Sequence, residues 1–296
     1  MKKALIILNP LAGTKKANKV LADIIKLFCE QDYECTVCLT TDEKRADEIV
    51  ARAGVDKDLI VCIGGDGTFN ETIAGMLSAQ IVCPIGYIPT GSTNDFATSI
   101  NLSASPLEAA KNILSGTPKA FDIGHFNNRI FTYVASFGTF TKTSYNTSRD
   151  LKNALGHFAY VLEGIKELGD IHPESLTIEH DGIVTNGKYI FGAFCNSLRV
   201  GGGVLKFSQH TVDMNDGMFE AVLVKNPKNP AEFMQLLFDL QSGNYNGKLF
   251  EFFKSGNFKI KASDEMDWTI DGEYEKGCSD INISVQKSAF SLIIPN

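Results

Sequence analysis

Between residues 59 and 78 the chain reads as a short apolar strand, a glycine turn and a helix start. That succession commits this part of it to an α/β architecture. The strand is Leu59-Ile60-Val61-Cys62-Ile63 and the turn is Gly64-Gly65-Asp66-Gly67. Thr68-Phe69-Asn70-Glu71 follows, and Ile73, Met76 and Leu77 carry a helical pattern over about 70–78. Strand, glycine turn and helix start is a geometry that binds phosphate. Glycines let backbone N–H groups approach an anion, and the helix N-terminus adds partial positive charge. Many α/β domains carry such a turn for close packing alone, so the turn by itself is weak. Asp66 is the informative residue. A carboxylate repels phosphate, and its presence makes sense where a metal ion intervenes or where it bonds a ribose or a substrate hydroxyl.

The same alternation runs through the first part of the chain. Strand-like runs at 4–8, 34–40, 59–63 and 85–88 alternate with helical patterns at 17–28, 42–53, 70–78 and 106–114. The face at 17–28 is read from Val20, Leu21, Ile24, Ile25, Leu27 and Phe28, and Thr41 or Asp42 is the expected cap of the next helix. A βαβα order predicts a parallel sheet with helices on both faces. The pattern changes near Phe121-Asp122-Ile123-Gly124. Beyond it come strand-like runs at 130–137, 175–180, 184–196, 218–224, 258–262, 268–271 and 281–285, interrupted by helical patterns at 153–168 and 230–241. Runs of strands with few helices predict an antiparallel sheet or sandwich. The expected division is an α/β domain at 1–121 and a β-rich domain at 122–288, followed by a strongly apolar run at 289–295.

Composition narrows the functional classes. The 296 residues suffice for two domains, and 44% hydrophobic against 21% charged content supports a sizeable core. A net charge of −7 argues against a nucleic-acid partner, which demands a basic face, and against strong bulk attraction to an anionic membrane. No run approaches the roughly 18 apolar residues of a membrane-spanning helix. The apolar N-terminal run breaks at Pro10, too short for a signal peptide. A cytoplasmic protein without a transmembrane segment is expected, with peripheral membrane association left open. The seven cysteines fall largely in apolar runs, as buried free thiols do. Cys35 and Cys38 lie three apart on a strand and so point to opposite faces, which disfavours a disulfide or a shared metal. The five histidines show no metal-ligand spacing, which argues against a zinc site.

Further candidates sit at the ends of the first-domain strands, where ligands of open parallel sheets bind. Asn9, Pro10, Leu11, Ala12 and Gly13 follow the first strand, and Lys15, Lys16 and Lys19 stand at the next helix start. The lysines read either as a solvated face or as charge compensation for a polyphosphate. Thr40 and Thr41 end the second strand. Pro89, Thr90, Gly91, Ser92, Thr93, Asn94, Asp95, Phe96 and Ala97 follow the fourth. Asp66 and Asp95 then stand on neighbouring strand ends, where two carboxylates need a cation or donors between them. In the second domain, Gly201-Gly202-Gly203, the loop Asp213-Met214-Asn215-Asp216-Gly217-Met218 and the string Asp271-Gly272-Glu273 each read alone as turns. No histidine falls in these strings, so carboxylates are the candidates for a general base.

Taken together, the strings resemble the diacylglycerol-kinase catalytic family, which includes sphingosine kinases and soluble bacterial lipid kinases. NAD kinases and 6-phosphofructokinases share the Gly-Gly-Asp-Gly core. In NAD kinases the Asn-Glu pair lies far downstream, whereas Asn70-Glu71 abuts the core here. The matches run in order from Asn9 to Glu273, with Ser92 where threonine is usual. The proline usual before the second-domain loop is absent, Phe207-Ser208-Gln209 standing in its place. Leu155-Gly156-His157-Phe158-Ala159-Tyr160 resembles a helix that recurs in the family's second domain.

The resemblance implies an ATP-dependent lipid kinase. Its fold would be a NAD-kinase/6-phosphofructokinase-like α/β domain plus an antiparallel β-sandwich, with the chain end at 289–296 returning to the first domain. ATP would lie along Asn9, Pro10, Leu11, Ala12 and Gly13, Thr41, Gly64, Gly65, Asp66, Gly67, Thr68, Phe69, Asn70 and Glu71, and Thr90, Gly91, Ser92, Asn94 and Asp95. Mg2+ would accompany it. A structural magnesium would be held by the Asp216 carboxylate and the main-chain carbonyls of Asp213 and Met218. Asp66, Asp271 and Glu273 would be catalytic, with Glu273 favoured as base by family position and Asp271 close behind, orienting it. The acceptor would be a lipid hydroxyl at a membrane surface, whose identity the sequence does not give. A homodimer is one open oligomeric state. The competing readings are a NAD kinase or other small-molecule kinase of the same superfold, and a non-catalytic nucleotide-binding regulator. More distant is an oxidoreductase, for which a Gly-x-Gly-x-x-Gly after the first strand is missing.

Overall fold

The parallel strands expected at the start of the chain are present, and their order explains where ligands can bind. A computed structural model describes residues 1–13, 16–138, 172–203, 205–208 and 211–296. The expected helix at 153–168, with its Leu155–Tyr160 string, and Lys15 lie outside the described residues. The chain divides into two units, residues 1–122 with 287–296 and residues 123–286.

In the first unit β1 (Lys2–Leu8), α1 (Lys16–Glu30), β2 (Tyr33–Leu39), α2 (Ala46–Ala53), β3 (Leu59–Gly64), α3 (Asp66–Ser78) and β4 (Ile85–Pro89) alternate. The short α4 (Asp95–Ser99) and α5 (Pro106–Ser115) follow. The four strands are parallel in the order β2-β1-β3-β4, and the C-terminal strand Asp280–Ile294 adds beside β4, with Leu292 opposite Ile85. The chain leaves β1 toward one side for β2 and crosses to the other for β3. That reversal opens a crevice at the carboxyl ends of β1 and β3, the usual ligand position in such sheets.

An apolar layer covers this sheet. On one face Ile24 and Phe28 of α1 pack with Ala109, Ala110 and Ile113 of α5 against Ile6, Leu8, Val61 and Ile63. Elsewhere in the unit an aromatic cluster forms. Phe69 stacks on Tyr87 at 4.2 Å between ring centroids, Phe96 lies 5.0 Å from Phe69, and Phe121 stacks on Phe290 at 5.7 Å. Phe69 and Phe96 are fully buried. Each burial is worth roughly 1.5–3 kcal/mol, and each residue sits within a few positions of a candidate ligand loop.

Two boundaries differ from expectation for local reasons. Helix α3 begins at Asp66 instead of about 70, because the turn tightens directly into it with Gly65 as the capping residue. Helix α2 begins at Ala46 instead of 42. Thr41 closes a tight turn with Lys44, its hydroxyl accepting from Lys44 N at 3.1 Å. The cap comes from another helix, where Glu71 Oε2 accepts from Ala46 N at 3.1 Å.

The second unit is antiparallel. It is built on β5 (Thr117–Phe126), which enters it from the first unit, β6 (Arg129–Phe131), β7 (Val134–Gly138), β8 (Glu174–His180) and β9 (Ile183–Cys195). The hairpin β10 (Arg199–Val200) and β11 (Leu205–Lys206) precedes β12 (Phe219–Lys225), helix α6 (Pro230–Ser242), β13 (Phe250–Ser255), β14 (Asn257–Lys261), β15 (Trp268–Ile270) and β16 (Glu273–Glu275). The long β9 pairs with β8 along its first half and with both β7 and β12 along its second. The core holds Phe126, Phe137, Phe194, Phe258 and Trp268 among aliphatic side chains. The expected strand at 130–137 is two strands, because Thr132 and Tyr133 turn away to bond a carboxylate described below. The runs at 281–285 and 289–295 are one strand, bent at Ser288, whose φ is 51°. No sequence expectation covered β13.

Candidate active site

Three strand-end turns meet backbone to backbone in the first unit. Gly13 has φ +47°, and a Cβ there would lie 2.1 Å from the Thr90 carbonyl oxygen. A Cβ on Gly91 would lie 2.6 Å from Gly65 Cα and 2.7 Å from Asn94 Oδ1. Only glycine permits this approach of the Asn9–Gly13, Gly64–Gly67 and Thr90–Ser92 turns. Hydrogen bonds fix the arrangement. Asn9 N donates to Ile63 O at 2.9 Å, Asn9 Nδ2 to Thr68 Oγ1 at 3.0 Å, and Thr90 N to Gly64 O at 2.7 Å. Asn9 Oδ1 accepts from Leu11 N at 3.0 Å, which curls the turn. Asn94 takes the left-handed conformation and bonds Gly91 twice, accepting from its N at 2.8 Å and donating to its O at 3.0 Å.

The start of α3 has no side chain capping it from Gly65. A helix N-terminus carries partial positive charge from its dipole, which favours an anion there. Asp66 sits in that first turn, and its Oδ2 accepts from Asp95 N at 3.1 Å. This bond brings the two acidic residues of the β3 and β4 ends together. Asp95 is buried, and Asp122 is wholly buried with Oδ1 accepting from Ser288 N at 2.7 Å. Glu71 bonds α2, with Oε1 3.4 Å from Arg45 Nη2 in addition to the Ala46 cap.

In the second unit Asp271 and Glu273 have contrasting surroundings. Asp271 is buried and takes φ 48°. Its Oδ2 accepts from Thr132 N at 2.6 Å and Thr132 Oγ1 at 2.8 Å, and its Oδ1 from Tyr133 N and Val134 N, both at 3.0 Å. Burial pushes its carboxyl above the ordinary range while these four donors pull the other way. Glu273 is 58% exposed, and its Oε2 accepts from Arg129 Nη2 at 2.6 Å.

The loop at 213–218 folds on its own carboxylates. Asp213 Oδ1 accepts from Asn215 N at 3.1 Å and Asp216 Oδ1 from Met218 N at 2.8 Å, with Gly217 at φ +84°. Among the described residues no group of three or more His, Cys, Asp or Glu side chains gathers as a metal cluster. A cation in this loop would depend on the Asp216 carboxylate together with main-chain carbonyls, a hard-oxygen set suited to magnesium or calcium.

Comparison with known proteins places this geometry in a family. A family model described as the diacylglycerol kinase catalytic domain matches residues 3–126. A diacylglycerol kinase of Bacillus subtilis (strain 168) is 33% identical over 279 residues, 93% of this chain and 90% of that protein. The chain belongs to the diacylglycerol kinase family. A diacylglycerol kinase of Staphylococcus haemolyticus (strain JCSC1435) is 31% identical, covering 92% of this chain and 82% of that one. Residues 135–294 match a family model described as the YegS C-terminal NAD kinase beta sandwich-like domain. The crystal structure of a diacylglycerol kinase from Bacillus anthracis str. Sterne shares the fold, with a TM-score of 0.75 over 99% of this chain and 97% of that one at 21% identity. The family is one of lipid kinases, which phosphorylate an alcohol group. No helix among the described residues is long and apolar enough to cross a membrane.

Within this diacylglycerol kinase family member, three relationships had no sequence signal. Arg129 reaches Glu273 across 144 positions of sequence. Thr132 and its neighbours reach Asp271 across 137 to 139. Glu71, in a string that reads as ligand contact, caps a neighbouring helix.

Proposed function

We propose that the chain transfers the γ-phosphate of ATP, with Mg2+, to the hydroxyl of diacylglycerol or a related lipid at a membrane surface. The observation that carries this reading is the meeting of three glycine-permitted backbone turns at the β1, β3 and β4 ends, beside the start of α3. Phosphate suits such a cradle, because glycine turns let backbone N–H groups approach an anion and a helix N-terminus adds partial positive charge. In this reading residues 1–121 are the nucleotide domain, and residues 122–288 carry the lipid site.

Little covalent work falls to the protein in phosphoryl transfer; its residues position and neutralise. Asn9 to Gly13, Gly64 to Asn70, Thr90 to Ser92 and Thr41 hold the nucleotide, Asn94 fixes the Gly91 turn, and Glu71 ties α2 to α3. Asp66 and Asp95 would hold magnesium, which supplies charge neutralisation at the phosphates when bound. Mg2+ sites of this kind use one or two carboxylates with substrate phosphates and water. Asp216 with the carbonyls of Asp213 and Met218 would hold a structural ion. Glu273 accepts the proton of the lipid hydroxyl. Asp271 fixes the turn that carries Glu273. The exposed position of Glu273 suits a base that must meet an external hydroxyl, whereas both oxygens of Asp271 are occupied.

The test uses γ-labelled ATP, magnesium and diacylglycerol in mixed micelles. Labelled phosphatidic acid is the expected product, absent with Asp66→Asn. Label found only in inorganic phosphate, with the protein folded and the nucleotide bound, would refute the reading.

A further inference from the structure

We infer that Arg129 is the positioning residue of the general base. The inference rests on the reading of Glu273 as that base and extends it to a residue outside all the recognised strings.

The geometry is a clasp. Arg129 Nη2 donates to Glu273 Oε2 at 2.6 Å, while Nη1 donates to Glu275 Oε2 at 2.7 Å and to Tyr274 O at 3.3 Å. One planar guanidinium thus holds both acidic side chains of β16 and the carbonyl between them. Among the described residues Arg129 is the partner of the Glu273 side chain, which is otherwise mostly exposed. The arm to Glu275 is the more sheltered, with side-chain exposures of 33% for Arg129 and 31% for Glu275. It anchors the guanidinium, so that the arm to the more exposed Glu273 has a fixed origin.

The clasp completes a second fastening a few residues away. Asp271 ties the start of the same turn to the backbone of Thr132, Tyr133 and Val134. Arg129, on β6, ties its end. The turn from Asp271 to Glu275 is therefore held at both ends by residues 129–134. Glu273 is long, has three rotatable bonds and is mostly exposed. Without a fixed partner it would sample many rotamers, and a base must be within hydrogen-bond reach of its proton in a defined pose. The fork geometry of arginine is what allows two carboxylates and a carbonyl to be held at once. A lysine, a single point of charge on a flexible stem, does not reproduce it.

The test compares Arg129→Lys, Arg129→Met, Glu273→Gln and the double variant Arg129→Met/Glu273→Gln in the full chain. Lipid turnover, KM for ATP and thermal midpoint are read for each. Arg129→Lys and Arg129→Met are expected to lower kcat on the order of 10–100-fold, with KM for ATP unchanged and the midpoint little moved, since such partly exposed pairs contribute little to stability. In the Glu273→Gln background, Arg129→Met is expected to cause no further loss, because its effect acts through Glu273. Wild-type kcat in Arg129→Lys overturns the inference. So does an equal further loss in the double variant, which would mean a general structural role. Should Arg129→Met not fold, Arg129→Lys in both backgrounds decides the same point. Full turnover in Glu273→Gln would instead refute the base reading, and the inference with it. A dead Glu273→Gln beside a fully active Arg129→Met refutes the inference alone.

Discussion

Replacing Asp271 by asparagine separates the two acidic residues of the Asp271-Gly272-Glu273 string. The carboxylate takes four donors, two on each oxygen. Asparagine keeps one oxygen and turns an amide NH2 toward two of those donors. Two charge-assisted bonds are lost, each worth about 1.5–3 kcal/mol. Part of that loss is offset, because burial opposes the charged form of Asp271 and the neutral side chain escapes that cost. A net destabilisation of about 2–4 kcal/mol follows. For a unit of residues 123–286 this converts to a fall in thermal midpoint of about 5–15 °C. Glu273→Gln removes one side of a partly exposed ion pair and should change stability by less than about 1 kcal/mol, yet collapse turnover with little change in ATP affinity. Differential scanning calorimetry and steady-state kinetics on both variants check this. An Asp271→Asn protein with an unchanged midpoint and no turnover, beside an active Glu273→Gln, would refute the reasoning and reverse the two roles.

Three further outcomes are expected. Asp66→Asn should lower turnover on the order of 10³-fold with the fold intact by circular dichroism; near-normal activity in a folded variant would remove Asp66 from the reaction. Gly91→Ala places a Cβ 2.6 Å from Gly65 Cα, so it should weaken ATP binding, measured by calorimetric titration, far more than it weakens global stability. Asp216→Ala should lower the thermal midpoint and activity together, and in wild-type protein magnesium should raise the midpoint in a way that this variant loses; an identical magnesium response in both would exclude a cation at that loop.

The inner strands of the first unit were legible in the sequence because they are buried on both faces and read as largely apolar runs, such as Leu59-Ile60-Val61-Cys62-Ile63. The glycines of the ligand turns were legible for the same reason that they are required: backbones approach there as no Cβ permits. The start of α3 was hidden because the glycine turn tightens directly into the helix at Gly65, and that of α2 because its cap is tertiary. Glu71 caps α2 from 25 residues away, and no local string announces that. In the second unit, the strands at residues 129–138 merged in the reading because the apolar pattern continues through Thr132 and Tyr133, while their N–H groups are taken by Asp271. Asp271 and Glu273 were found as a pair by resemblance, but their contrast was not. One is saturated by backbone donors and the other is held by Arg129, and both partners lie more than a hundred residues away.

The identity of the acceptor tests the central claim most directly. The protein, labelled ATP and magnesium would be incubated with a total lipid extract and, separately, with NAD, and the labelled product identified by mass spectrometry. The account predicts label in a phosphorylated lipid extractable into organic solvent, phosphatidic acid foremost, and none in NADP. Labelled NADP, or the absence of any labelled lipid from a folded protein that binds ATP, would contradict it.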